Sequence, residues 1–277
     1  MEATKSLKRE RYLFWILVGG LLFLRFPWII LGKALAPAYG AGIVVVFEVG
    51  TYLLTALLVF LERKRLAEYH IDSLALVLLL GAPVVILIGS KTGGYALPGQ
   101  GIKALFASVL LIALLIWRPV LPKRGAAQTA IYLGAAVLIG GALAIVSGFL
   151  LSFQVQKPLD LSRFPSAGRL LYEALYQLDY AAAAEEPLFR GFLWGGLRRC
   201  GWKDHWIWLF QALLFAVGHV YYVGVYNISA FLVVPLAALV LGLAAWKTRS
   251  IGTSMIVHGI TNGFGNALVY LFCGLLR

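Results

Sequence analysis

Two adjacent glutamates, Glu185 and Glu186, sit in an otherwise apolar stretch, and Arg190 follows the second by four residues. In hydrocarbon an ionisable side chain costs roughly 2.5 to 3.5 kcal/mol on insertion scales, so each needs a partner or a chemical task. On a helix Glu186 and Arg190 share a face, acid before base in the favourable order, while Glu185 points about 100° away. Glu186 and Arg190 are therefore expected to lock each other, which leaves Glu185 for chemistry. The bland alternative is that both glutamates only support structure.

His219 closes the run Phe215-Ala216-Val217-Gly218-His219, and His258, Asn262 and Asn266 recur every four residues on one helical face. Imidazoles and a carboxylate in one apolar region are equipment for acid and base catalysis or for a proton relay. A lone buried histidine is also commonly a hydrogen-bonded core residue, and a His and Asn stripe can be an interhelical seam, the reading adopted for Asn266. Gly259, Gly263 and Gly265 let the helix that carries the stripe pack tightly, as do the alanines 181–184 just before the glutamates. Pro187 withdraws a helical hydrogen bond from the carbonyl of Ala183 and is expected to kink its span.

What must position these residues is a set of membrane helices. Of 277 residues, 61% are hydrophobic and 13% charged, and the mean hydropathy is +0.86. A typical soluble domain has roughly a quarter of its residues charged. Apolar runs recur at about 12–31, 41–61, 74–89, 104–117, 130–149, 174–195, 206–223, 228–245 and 251–275. Most are long enough to cross about 30 Å of hydrocarbon as helices. The runs at Leu74 and Ala104 are short, and the sixth begins among polar residues. The predicted fold class is all-α, a polytopic transmembrane helix bundle of about eight or nine spans. Its parts are an N-terminal five-span part over 1–151, a polar connecting segment over 152–170 marked by Pro158, Pro165 and Gly168, and a four-span part over 171–277.

The first apolar run is too long for the core of a signal peptide, and Pro37 would follow a cut after Ala34-Leu35-Ala36, so it is read as an uncleaved span. With nine spans, fifteen of the 24 basic residues fall on the side of the N-terminus and seven on the other. That asymmetry predicts a cytoplasmic N-terminus and a multi-pass protein of the cell membrane. Basic residues clustered between apolar runs also assign the net charge of +12 to membrane-surface loops rather than to a nucleic-acid face. Cys200 and Cys273 have no spacing that suggests a disulfide framework or a thiolate metal site. Arg25 and Glu48 come out at nearly equal depth on adjacent antiparallel spans, and an ion pair between them is expected. Because the pair neutralises itself it is read as lying outside the site, with a part in the active site as the functional alternative.

The motif Glu185-Glu186-Pro187-Leu188-Phe189-Arg190-Gly191, then Phe215 with His219, then His258 with Asn262, resembles the three ordered motifs of the CAAX protease and bacteriocin-processing family. That family's pattern reads E-E-x-x-x-R, F-x-x-x-H and H-x-x-x-N, and the approach from Thr248 through Ser254 to His258 is similar to it as well. The resemblance covers roughly residues 174–270. It implies an all-α intramembrane endopeptidase whose members cleave prenylated CAAX proteins or process or confer immunity to bacteriocins, acting on a membrane protein or peptide.

Peptide hydrolysis needs an activated water, a stabilised oxyanion and a protonated leaving amine. In the preferred scheme Glu185 with His219 activates water, His258 and Asn262 donate to the oxyanion, and Glu186 with Arg190 supports the site. In the alternative, Glu185, His219 and His258 hold a zinc ion with water as fourth ligand, although the H-E-x-x-H spacing is absent. Two rival functions use the same residues: a non-catalytic immunity-type protein that binds a peptide, and a proton-coupled transporter, which the lack of an internal repeat disfavours.

Overall fold

The computed structural model describes residues 2–26, 41–92, 94, 97–155 and 166–275, and the side chains of all of these except 2–10, 41 and 274–275. The end of the first apolar run, the Ala34-Leu35-Ala36-Pro37 stretch, Pro158 and Pro165 lie outside the described residues. Among the described residues every regular element is a helix. We number the helices α1 Glu2–Arg25, α2 Ala41–Leu61, α3 Ser73–Lys91, α4 Gln100–Ile116, α5 Ala126–Ser152, α6 over 167–199, α7 Asp204–Val217, α8 Ser229–Thr248 and α9 Ile251–Leu275. As far as it is described, each apolar run of the sequence lies mainly on one of them; the run at 206–223 continues past the end of α7 into a 3-10 segment.

Among the described residues four helices, Gly42–Leu61, Ser73–Lys91, Ala126–Ser152 and Ser229–Thr248, are long and apolar enough to cross a membrane. Large apolar side chains such as Ile16, Val77, Leu115, Ile131 and Leu138 point outward from the bundle. A surface of this kind is solvated by lipid, and the protein is an integral membrane protein.

Helix starts follow local chemistry. Asp72 caps α3 by accepting from the Ala75 amide at 2.9 Å, and Ser166 caps α6 by accepting from the Arg169 amide at 3.3 Å. Helix α6 is not uniform: at Leu178–Ala182 and Pro187–Leu193 it widens into π-helix, with α-helical Ala183–Glu186 between. Pro187 has no N–H with which to close an α turn, so the ladder shifts there by one residue. The expected distortion at Pro187 thus takes the form of a widened turn on either side of the two glutamates.

Helix α9 runs between α5 and α6. A Cβ at Gly263 would lie 2.7 Å from the Ala174 backbone nitrogen, and one at Gly259 would lie 2.9 Å from the Ala174 carbonyl oxygen. Gly140 and Gly148 of α5 face Ile260 and Leu268 of α9 just as closely. Without side chains at these positions, α9 can approach both neighbours at backbone distance, which brings its polar stripe against α6.

The basic segments meet at one end of the bundle. The Val120 amide donates to the Arg63 carbonyl and the Ile251 amide to the His70 carbonyl, both at 2.8 Å. Arg124 donates to the carbonyls of Thr248 and Arg249 and pairs with Asp72 at 3.3 Å. His70, buried in this network, has Nε2 at 3.1 Å from Arg198 and 3.4 Å from Arg249. Guanidiniums only donate, so Nε2 accepts. Burial, then the charges of Arg198 and Arg249, push the His70 pKa down to about 3.

The ion pair expected between Arg25 and Glu48 does not form. Leu24 touches Gly50, so the two residues do lie at similar depth, but they point to different neighbours. Glu48 instead accepts from Lys103 at 2.9 Å, and Lys103 also binds Asp179 at 3.0 Å. Lys103 precedes the fourth apolar run, at 104–117, and so counts among the seven basic residues of the side opposite the N-terminus, yet α4 starts at Gln100 and buries it. Arg25 turns toward α6.

Two measurements follow. Gly263→Ala should lower the thermal unfolding temperature of the detergent-solubilised protein by an amount equivalent to about 1 to 3 kcal/mol, whereas Gly141→Ala, with nothing within 4 Å of the new Cβ, should not lower it. Between about pH 6.5 and 3 the unfolded chain binds a proton at His70 that the folded chain refuses, so stability falls as pH falls through that window. Stability curves of His70→Gln should lose that part of the slope.

Candidate active site

Glu186 is fully buried on the narrow stretch of α6 between the two π segments. Its Oε1 accepts from Arg190 Nη1 at 3.2 Å and lies 2.8 Å from His258 Nδ1, and its Oε2 accepts from Ser254 Oγ. The expected partnership of Glu186 and Arg190 is present. Arg190 also donates to the Ala238 carbonyl of α8 at 3.2 Å and lies over the Phe215 ring at 4.4 Å. One carboxylate and one guanidinium thereby join α6, α7, α8 and α9. A carboxylate only accepts, so His258 carries a hydrogen on Nδ1, and its Nε2 faces Glu185, whose Oε2 is 3.8 Å away.

Glu185, one residue earlier, points away from that cluster as the helix geometry requires. Its Oε1 pairs with Arg25 of α1, and its Oε2 is buried without a hydrogen-bond partner. Arg25 Nη2 also lies 3.0 Å from His219 Nε2. Because the guanidinium can only donate, His219 accepts at Nε2 and donates from Nδ1 to the Phe215 carbonyl at 2.8 Å. His219 stands just past the end of α7 at Val217, where the chain turns into a short 3-10 segment, Val220–Tyr222. That turn brings its ring to the depth of the glutamates.

A cavity of about 270 Å³ opens on these groups. Glu185, His219, His258 and Asn262 all line it, with Arg25, Gln177, Tyr180, Tyr221 and Tyr222, whereas Glu186 and Arg190 lie behind the wall. The four candidate catalytic residues are thus brought together, and the two support residues are kept from the cavity. Asn262 Nδ2 makes only a long bond, 3.4 Å, to Gln177 Oε1, so its amide can be redirected to an incoming group. Asn266, also on the wall, is exposed.

Arg25 joins the site, where the sequence places it outside. Its burial in an apolar run flagged it, but the depth argument placed it with Glu48, and depth does not give rotation about the helix axis. Gln177, and the contact of Ser254 with Glu186, escape a reading of the sequence because neither side chain carries a charge that a lipid medium would penalise.

Residues 168–264 match the family model of Type II CAAX prenyl endopeptidase Rce1-like proteins. The resemblance drawn from the three motifs is borne out over this segment, which contains all six residues from Glu185 to Asn262 and excludes Arg25, Glu48 and Lys103. No curated protein and no solved structure matches the chain. The match, together with the apolar helices, describes a membrane protein with a CAAX-protease-like segment.

The donor set can be tested against the zinc alternative. Among the described residues no three His, Cys, Asp or Glu side chains are grouped so as to hold a metal ion. His219 Nε2 and Glu185 Oε1 both face the Arg25 guanidinium, so a divalent ion on those two atoms would lie against a fixed positive charge. In this arrangement Glu185, His219 and His258 do not fit zinc.

The second buried cluster, Glu48, Lys103 and Asp179, ties α2 and α4 to the first π segment of α6, six residues before Glu185. Lys103→Met would strand two buried carboxylates and should cost about 3 to 5 kcal/mol in thermal unfolding. Adding Glu48→Gln and Asp179→Asn to that variant should recover most of the loss.

Proposed function

We propose that the protein is an intramembrane endopeptidase that hydrolyses a peptide bond of a membrane-associated protein or peptide with a glutamate-activated water and no metal. The observation that carries the reading is the convergence of Glu185, His219, His258 and Asn262 on one cavity inside the segment that matches the CAAX endopeptidase model.

A water hydrogen-bonded to both Glu185 Oε2 and His258 Nε2 would span their 3.8 Å separation. In this mechanism Glu185 removes a proton as the water oxygen attacks the scissile carbonyl, and later returns it to the leaving amine. Asn262 donates to the oxyanion. His258 could join it as a donor only with a second proton on the ring, since Nδ1–H is held by Glu186; its first task is to orient the water. His219 and Arg25 hold Glu185 in position, and Glu186, Arg190 and Ser254 hold His258. The basic end of the bundle would face the cytoplasm, which is also the side assigned to the N-terminus.

A second reading has one observation in its favour: the Arg25 ion pair on Glu185 neutralises the proposed base. A non-catalytic peptide binder of the immunity type would keep that pair permanently.

Cleavage of membrane peptides, prenylated and unprenylated, by purified protein in detergent decides between them. Glu185→Gln should reduce the rate at least about a hundredfold, and Asn262→Ala should lower kcat by about a hundredfold to a thousandfold. A chelator should leave the rate unchanged. Cleavage that survives Glu185→Gln rejects the glutamate mechanism. Peptide binding without cleavage in the unaltered protein favours the binder, and loss of activity in chelator restores the zinc scheme.

A further inference from the structure

Three residues on the wall of the catalytic cavity are used neither by helix packing nor by the proposed chemistry: Ser147 of α5, and Gly265 and Asn266 of α9. Ser147 is only 4% exposed, and its Oγ is buried without a hydrogen-bond partner. A hydroxyl withheld from both water and protein costs free energy, and one on a cavity wall is satisfied by what enters there. Asn266 was expected to form an interhelical seam, but a seam residue is buried between helices and Asn266 is exposed. Its amide presents both a donor and an acceptor.

Gly265 differs from Gly259 and Gly263. A Cβ at either of those would collide with the backbone of Ala174, whereas one at Gly265 would find its nearest neighbour, the Ala144 carbonyl oxygen, at 3.7 Å. Close packing of α9 therefore does not require glycine at 265. Its bare surface provides room in the cavity beside Ser147, whose Cβ would lie 3.8 Å from a Cβ at that point.

The spacing selects a guest. Asn262 and Asn266 are four residues apart, about 6 Å along α9. In an extended peptide, residues i and i+2 turn their N–H and C=O groups to the same side at a repeat of about 6 to 7 Å. With a scissile carbonyl on Asn262, the main chain two residues along comes opposite Asn266, Ser147 and Gly265. A helical guest satisfies its own backbone and would leave the Ser147 hydroxyl and the Asn266 amide idle. Helix α9 starts at Ile251 at the basic end, so the bound segment runs from the scissile bond toward the other end of the bundle.

We infer that Ser147, Gly265 and Asn266 form a subsite that binds the main chain of an extended peptide two residues from the scissile bond. The subsite belongs to the substrate path of the proposed endopeptidase and rests on that reading. It selects substrates that are unwound over this stretch.

The test measures the dissociation constant of a fluorescent S-farnesylated CAAX peptide for the full chain in detergent, in a Glu185→Gln background that leaves the probe intact. Asn266→Leu and Ser147→Ala should each weaken binding about three- to tenfold. Gly265→Ala should weaken it as well. Ser147→Ala and Gly265→Ala should nevertheless unfold at the temperature of the background or above it, since one loses an unsatisfied hydroxyl and the other a helix glycine. Two further probes carry an N-methyl group on the main-chain nitrogen two residues from the scissile bond, on its amino or its carboxyl side. One of them should bind the background about tenfold more weakly, yet add less than about twofold to the loss in Asn266→Leu. Unchanged affinity in Asn266→Leu and Ser147→Ala, N-methyl losses that add in full to that of Asn266→Leu, or a lowered unfolding temperature in Ser147→Ala and Gly265→Ala would each overturn the subsite and leave the protease reading standing. Consumption of the probe in the background would reject the glutamate mechanism, and affinities read at early times would still decide the subsite. Absence of saturable binding to the background would overturn both.

Discussion

A carboxylate in a hydrocarbon medium has to be matched atom by atom, and Glu186 meets that demand with Arg190 and His258 on one oxygen and Ser254 on the other. Breaking a buried charge pair on one side costs about 3 to 5 kcal/mol, because the partner is left unsolvated. The relative placement of α6 and α9 is therefore fixed by polar contact and not by apolar burial, which lipid would reward equally with the helices apart. The glycines of α9 permit the approach, and the Glu186 cluster sets its register. His258 acquires its orientation and its hydrogen position from the same contact.

The sequence exposed what lipid penalises. Helix positions could be read from hydropathy, the Glu186 and Arg190 pair from helical spacing, and the candidate residues from the cost of placing Glu185, His219 and His258 in apolar runs. Rotation about each helix axis could not be read in the same way. Arg25 and Glu48 share a depth, yet one serves Glu185 and the other Lys103, a difference of facing that hydropathy does not contain. Lys103 was lost for a related reason. A buried lysine at a helix start looks like a loop residue until its two carboxylate partners, on other helices, are in view.

Helix α6 has both buried clusters along its length, at Asp179 and at Glu185 with Glu186, and it widens at the first and again just after the second. A π turn directs consecutive side chains differently from an α turn, so it can bring an acid to a neighbour that regular spacing would miss. Here the first widening carries Asp179 to Lys103, and the second follows Pro187. Between them the short α-helical stretch keeps Glu185 and Glu186 about 100° apart, one on the cavity and one behind it.

The ion pair from Arg25 to Glu185 has a bearing on modularity. The segment that matches the endopeptidase model begins at residue 168, but the counter-ion of its proposed base comes from the first helix. The C-terminal block is therefore not a portable cartridge. Grafted onto a foreign set of N-terminal spans it would carry Glu185 into lipid unneutralised, and a chimera would function only if its donor helix offered a cation at the same depth and facing. The N-terminal spans thereby act as a matched half of the site, and the two halves are bound to change together.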